Sequence, residues 1–319
     1  MRLVEAVPNV SEGRRLDVVD RIAAAAASVP GAHLLDRTSD ASHNRSVLTL
    51  AGQAPAMVEA LERMVEAAIA GIDMERQSGE HPRIGAVDIV PFVPLEGTTI
   101  ADCVALARSF GRRIADRLEL PVYLYAAAAT RRDRVKLADL RRGQYEGLKV
   151  EIATAGREPD FGPARMHPSA GATVVGARPF LVAWNVNLES DDLGLAKRIA
   201  HRVRESSGGL PAVQAKAFAI DELGCAQVSM NLLDTDRTPI WRVFEEVRDQ
   251  AASEGVGVRE TELIGLAPLA AFLAVADRAG TPADAAPEER VLAAGRWLRL
   301  RDASPLQALE LRLRAVTGP

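Results

Sequence analysis

Phe180-Leu181-Val182-Ala183-Trp184-Asn185-Val186-Asn187-Leu188 puts Phe180, Val182, Trp184 and Val186 on one face and Asn185 and Asn187 on the other. That period of two is a strand's. Working outward, Ser190 with Asp191 and Asp192 opens a helix whose Leu195, Ile199 and Val203 share a side. Pro211 to Ile220 and Cys225 to Leu233 read as a hairpin across Asp221-Glu222-Leu223-Gly224. Thr238-Pro239 starts a helix with Ile240, Val243, Phe244, Val247 and Ala251 inward. A strand, Val256 to Leu263, and a helix, Pro268 to Val275, complete the run. The order is β-α-β-β-α-β.

The N-terminal half reads in the same order. Arg2 to Val7 is a strand and Pro8 to Gly13 a polar turn. The helix that follows buries Leu16, Val19, Ile22, Ala23 and Ala26, and Pro30-Gly31 ends it. Strands at His33 to Asp36 and Ser46 to Leu50, a helix opened by Pro55, and a strand at Ala86 to Val93 come next. A helix capped by Thr99 and Asp102 and a strand at Pro121 to Tyr125 are additions, and residues 129–150 read as a charged helical surface. The fold expected is α/β (α+β): two ferredoxin-like (split β-α-β) subdomains, residues 1–177 and 178–319. Helices should cover one face of each sheet and leave the other available. The tail from Gly280 gives two short amphipathic helices that pack on the second subdomain or mediate self-association.

Composition narrows the function. The 319 residues are 48% hydrophobic and 26% charged, an ordinary globular balance. A net charge of −4 and the lack of a basic run give nucleic acid nothing to bind. No apolar stretch approaches the roughly 18 residues of a membrane span. Met1 to Glu5 lacks the apolar core of a signal peptide, so a cytoplasmic protein is expected. Cys103 and Cys225 read as separate buried thiols, and the five histidines show no metal-ligand spacing. There is no G-x-S-x-G, no Walker loop and no G-x-G-x-x-G between strand and helix.

Three features carry chemistry. Gly79-Glu80-His81-Pro82-Arg83-Ile84-Gly85 holds an imidazole, a carboxylate and a guanidinium between glycines. Pro82 pushes His81 towards extended backbone, which displays a side chain ahead of the apolar strand. His81 reads either as an ordinary loop histidine or as an acid–base group. The proline-rich stretch from Arg157 to Gly171 is too long and irregular for a plain connection, and Phe161 and Met166 argue against disorder. It reads as a binding loop. Asn185, Asn187, Gln227, Ser229 and Asn231 form a neutral strand face: either a solvent face, or a surface suited to a polar heterocycle.

Several motifs together resemble the glutamate formimidoyltransferase family. They are Val7-Pro8-Asn9-Val10-Ser11-Glu12-Gly13, Gly79-Glu80-His81-Pro82-Arg83, Pro91-Phe92-Val93-Pro94 and Pro121-Val122-Tyr123-Leu124-Tyr125. Pro159-Asp160-Phe161-Gly162-Pro163, Gly171-Ala172-Thr173-Val174, Gly176-Ala177-Arg178 and Ala226-Gln227-Val228-Ser229 with Asn231-Leu232-Leu233-Asp234 continue it. The resemblance runs from about residue 3 to 275 in order. It implies a two-subdomain transferase, with folate in a cleft between the halves, passing a formimino group from N-formimidoyl-L-glutamate to tetrahydrofolate in histidine breakdown. A homodimer is implied, and no metal. In vertebrate members a cyclodeaminase domain follows, which these 319 residues are expected to be too few to contain. Alternatives are a related folate enzyme acting on 5-formyltetrahydrofolate, or a non-catalytic folate-binding protein.

The resemblance puts the catalytic histidine at His81. The folate loop falls on Gly162, Pro163, Ala164, Arg165, Met166, His167, Pro168, Ser169, Ala170 and Gly171. Ala170 stands where the family has an aromatic residue. In Asp36-Arg37-Thr38-Ser39-Asp40-Ala41-Ser42-His43-Asn44-Arg45 the family's second carboxylate is displaced, and Asp40 is its substitute. Arg45, Arg83 and Arg178 are candidates to pair the substrate carboxylates, Arg83 first because it neighbours His81. An imidazole titrating near neutrality would take the proton from the attacking nitrogen and return it to the leaving one.

Overall fold

Pro8 has no N–H to give a sheet, and the first strand breaks around it in the computed structural model, which describes residues 2–318. The pieces are β1 (Leu3–Ala6) and β2 (Asn9–Val10), so the expected polar turn contains a short strand. Helix α1 (Leu16–Ala27) follows, then the hairpin β3 (Ala32–Asp40) and β4 (Arg45–Gln53), helix α2 (Ala54–Gly71) and β5 (Val87–Pro94). Both pieces of the first strand pair antiparallel with β4 on one side and β5 on the other. Helix α3 (Ile100–Leu118) starts at the expected capping box: Asp102 N–H donates to Thr99 Oγ1 at 3.2 Å and Thr99 N–H to Asp102 Oδ2 at 2.9 Å. Then come β6 (Val122–Ala126), the short α4 (Leu137–Leu140), α5 (Gln144–Glu151) and β7 (Thr173–Ala177).

The sheet runs β3-β4-β1/β2-β5-β7-β6, parallel only at β5/β7 and β7/β6. Strand β7 is five residues between Gly171 and Pro179, too short for its period to show in the sequence. On one side Ile22, Leu61, Met64 and Phe110 pack against Leu48, Leu50, Val90, Phe92 and Leu124. The other side of the parallel strands is covered too: Leu140, Leu148 and Ile152 pack on Ile89, Tyr123, Tyr125 and Val174. The expectation of one free face is corrected there. Parallel strands are stable when buried on both faces, and residues 129–150 are the lid of that second layer rather than a solvated surface.

The chain divides into two units, Met1–Pro179 and Phe180–Pro319. In the second, β8 (Val182–Leu188), α6 (Leu193–Val203), β9 (Val213–Ile220), β10 (Cys225–Leu232), α7 (Ile240–Ser253) and β11 (Val258–Ile264) form an antiparallel sheet ordered β11-β8-β10-β9. Trp184, Val186, Val228 and Met230 meet Ile199, Val243, Phe244 and Val247 in its core. Helices α8 (Leu269–Arg278), α9 (Pro287–Trp297) and α10 (Leu309–Thr317) follow. Leu298, Leu300 and Leu311 join that core, so the tail packs on the second unit. Cys103 and Cys225 are buried free thiols. No described helix is long and apolar enough to cross a membrane.

The Pro159-to-Gly171 loop is pinned at its root. The Asp160 carboxylate accepts from Arg134 at 2.5 Å and from Leu124 N–H at 2.8 Å, with both side chains under a tenth exposed. Removing one partner leaves the other charge buried alone. Asp160→Ala should therefore cost about 3–5 kcal/mol, read as a lowered urea midpoint for the first unit.

Candidate active site

Asn44 sits in the left-handed region (φ 48°) at the tip of the β3–β4 hairpin and is buried. Asparagine tolerates that backbone better than most side chains. Its Oδ1 accepts from Gly13 N–H at 2.9 Å, and its Nδ2 donates to the Ser78 carbonyl at 2.9 Å. Gln77 Nε2 donates to the Asn44 carbonyl at 3.2 Å, and Glu80 N–H to the Ser42 carbonyl at 3.4 Å. A Cβ on Gly79 would overlap the His43 carbonyl oxygen, so a glycine lets the two loops meet. Downstream, Ser11 Oγ donates to the Gly85 carbonyl at 2.7 Å and Ile84 N–H to Asp88 Oδ1 at 2.9 Å. His81 is thus held between two clamps, with its side chain part-exposed.

Around His81 the charges are positive. Burial, then the Arg45 and Arg141 guanidinia and the His43 ring, push its imidazole down from 6.5 to about 3. The protein's own groups therefore keep His81 neutral, where the sequence reading had it titrating near neutrality. Arg141 pairs with the buried Asp88. Arg45 is half-buried, and its guanidinium makes no hydrogen bond or ion pair among the described residues. Desolvation, then the charge of Arg141, lowers the pKa of Arg45 as well. An anion placed there would relieve both groups.

Other expected residues fall into place differently. Asp40 faces His43, not His81: its Oδ1 accepts from His43 N–H at 2.8 Å, and Oδ2 lies 2.8 Å from His43 Nδ1. Burial pushes the Asp40 carboxyl up, but the bonds from His43 outweigh it and leave it below its ordinary value. Arg83 is corrected: it is buried and spends all its donors within the protein. Nε donates to Gln77 Oε1 (2.7 Å), Nη1 to Gln144 Oε1 (3.1 Å) and Glu146 Oε2 (3.0 Å), and Nη2 to the Gln77 carbonyl (3.1 Å) and Glu146 Oε1 (2.7 Å). It locks the His81 loop to α5 and has no N–H left for a substrate. Arg178 Nη1 donates to the Pro179 carbonyl at 3.0 Å, and its side chain also bonds Tyr125. Burial raises the Tyr125 phenol, so it stays a neutral donor.

The loop residues Gly162, Pro163, Ala164, Arg165, Met166, Pro168 and Ser169 range from exposed to half-buried. Ala170 and Gly171 are inside: the Ala170 carbonyl accepts from Ala86 N–H, and Gly171 exchanges backbone hydrogen bonds with His167. Those two hold the loop in place. His167 Nδ1 accepts from Ala170 N–H at 3.1 Å, which fixes its tautomer and gives the ring a structural task. In the second unit the supposed neutral face is corrected. Asn185 Nδ2 donates to Glu262 (3.1 Å), Asn187 Nδ2 to Glu260 (3.2 Å), and Arg301 pairs with both glutamates. The charges come from β11 and the tail, which the two strands read alone do not reveal. A cavity of ≈ 520 Å³ lined by Glu12, Arg14, Asn44, Asp73, Arg76 and Gln77, among others, shares the clamp residues without touching His81.

His43, Arg141 and Asp88 were not singled out from the sequence. A histidine three residues after Asp40 in a hairpin tip is the one local signal for the first, since that spacing lets an aspartate cap the turn.

A half-buried histidine facing the charge of a guanidinium that has no partner among the described residues marks a candidate active site on this α/β frame. Residues 3–178 match the family described as "Formiminotransferase domain, N-terminal subdomain", and residues 183–279 match "Formiminotransferase domain". The chain belongs to this family, and it is a transferase. Glutamate formimidoyltransferase of Streptococcus pyogenes serotype M1 is 43% identical over 276 residues, 86% of this chain and 92% of that protein. The Thermoplasma acidophilum protein of the same name is 46% identical over 278 residues, 86% of this chain and 91% of its own. Formimidoyltransferase-cyclodeaminase of Sus scrofa is 44% identical over 277 residues, 85% of this chain but 51% of that longer protein.

The depressed His81 value has a stability consequence. The unfolded imidazole takes up a proton near 6.5, the folded one only near 3. Stability linked to His81 is present above the upper value and lost as pH falls from 6.5 towards 3. His81→Gln should flatten that part of the acid limb when urea midpoints are measured against pH.

Proposed function

We propose that this chain is a glutamate formimidoyltransferase, moving the formimino group of N-formimidoyl-L-glutamate to N5 of tetrahydrofolate. The observation that carries the reading is His81, kept unprotonated between Arg45 and Arg141. A base must arrive without its proton, and burial with the Arg45 and Arg141 charges favours that form. Arg45 takes a carboxylate of the amino-acid substrate in a charge-assisted pair, and Arg178 is the second candidate for that task. Pairing Arg45 removes part of the positive field on His81, so the imidazole becomes a better proton carrier once substrate is held.

The steps balance. As the C–N bond to the attacking nitrogen forms, His81 removes that nitrogen's proton. As the C–N bond to glutamate breaks, His81 gives the same proton to the departing nitrogen. No proton is gained or lost in the transfer itself. Neutral Tyr125 and the Arg178 side chain it bonds are further donors in the first unit. Holding two substrates in line contributes more than the proton transfer, which is typically worth about 10²- to 10⁴-fold.

In this reading residues 162–169 border the folate, with Ala170 and Gly171 as their anchor. The strand orders β5-β1/β2-β4-β3 and β11-β8-β10-β9 support the ferredoxin-like description of residues 1–177 and 178–319. A cytoplasmic homodimer completes the proposal.

Three outcomes are expected. His81→Ala should lower kcat about 10²- to 10⁴-fold with folate affinity unchanged within twofold. Arg45→Met should raise KM for formiminoglutamate about tenfold to a hundredfold, the loss of a charged hydrogen-bonded pair. The kcat/KM profile reports the protein before binding and should show no His81 limb above about pH 5, while the acid limb of kcat lies higher. Formimino transfer measured spectroscopically with purified protein checks all three. Absence of transfer would remove the proposal.

A further inference from the structure

Asp40, His43 and His81 stand in a row, and the transfer described above uses only its end. The Asp40 carboxylate holds His43 twice, at the backbone N–H and at ring Nδ1, both at 2.8 Å. A carboxylate on Nδ1 fixes the ring's orientation and tautomer, with the proton on Nδ1 and Nε2 left to accept. The His43 ring then stands edge-on to His81, centroids 6.2 Å apart and planes at 73°. At such a separation the ring nitrogens are beyond direct hydrogen-bond reach, so a relay between them needs one bridging water. The spacing is not left to loose loops: the bonds from Asn44, Gln77 and Glu80, and the absent Cβ of Gly79, join the two segments at this point. His43 is 44% exposed along its side chain and opens to water.

The charges around the two rings are Arg45 on β4, Arg141 after α4, and Asp40 at the end of β3. A proton resting on His81 lies against two guanidinia. The same proton one ring further on has a carboxylate behind it. Resting on the proposed transferase activity, we propose that His43 is a positioning residue for proton movement: oriented by Asp40, it accepts the proton that His81 has taken from the attacking nitrogen and hands it back through His81 for delivery to the departing one. The exchange moves one proton out and the same proton back, so the overall balance is unchanged. Asp40 then acts through His43 and not on the substrate.

The test is His43→Asn in the full chain. Asparagine keeps the backbone N–H and one side-chain N–H for Asp40 but has no basic nitrogen. The fold, read by the urea midpoint, and both KM values should stay within twofold of the parent. The kcat should fall about tenfold or more, and free imidazole in the buffer should restore it in proportion to its concentration. A kcat within twofold of the parent from about pH 6 to 9, or a loss that imidazole does not repair, overturns the proposal. A second measurement does not depend on activity: the His43 ring nitrogens, followed by ¹⁵N NMR against pH, should shift midpoint when His81 is replaced by Gln. An unmoved His43 titration contradicts the coupling. If the parent protein transfers no formimino group, the functional reading falls, and the NMR titration still decides whether the two rings share a proton.

Discussion

Everything at the candidate centre depends on Asn44. One amide in a left-handed turn joins three stretches far apart in sequence: Gly13 after β2, the tip of the β3–β4 hairpin, and Ser78 ahead of His81. Each bond is modest, about 1 kcal/mol net, but a buried amide left unpaired costs more than that. The glycines follow from the same constraint. Gly13 lies against the backbone of Asp40 and Arg45, and Gly79 against that of His43, so neither position has room for a side chain. A loop stiffened by Pro82 and clamped this closely presents its imidazole in one place.

Placement would mean little without the electrostatics. A half-buried histidine loses hydration for its charged form, and the Arg45 and Arg141 fields add to that loss. Arg83 stands next to His81 in sequence, yet it is spent on Glu146, Gln77 and Gln144. The arginine with donors to spare, Arg45, comes from another strand. The arrangement costs stability in acid and gives a base whose readiness depends on what binds beside it. In the proposed transfer, one guanidinium both holds the anionic substrate and puts it to use.

Much of the frame was legible beforehand. The alternation from Phe180, the Thr99–Asp102 box and the hairpin at Gly224 rest on local rules, and local rules survive folding. Strand β7 did not show, because five residues buried on both faces carry no period. The second layer over β6 and β7 was missed because its charged outer face dominates the composition of residues 129–150, while Leu140 and Leu148 point inward. At the site, His81 was readable from the glycines and proline around it. The partners were not: Glu146 lies 63 residues from Arg83, and Arg141 lies 53 residues from Asp88. Glu260 and Glu262 changed the character of the amide face for the same reason, since a strand's neighbours are set by topology.

The account rests on an imidazole that its surroundings keep neutral until an anion arrives. ¹⁵N NMR of His81 against pH, with and without formiminoglutamate, reads this directly. The prediction is a ring unprotonated down to about pH 4 in the protein alone, and a midpoint that climbs when the substrate carboxylates are bound. A His81 that titrates near its ordinary 6.5 in the free protein, unmoved by substrate, would contradict it.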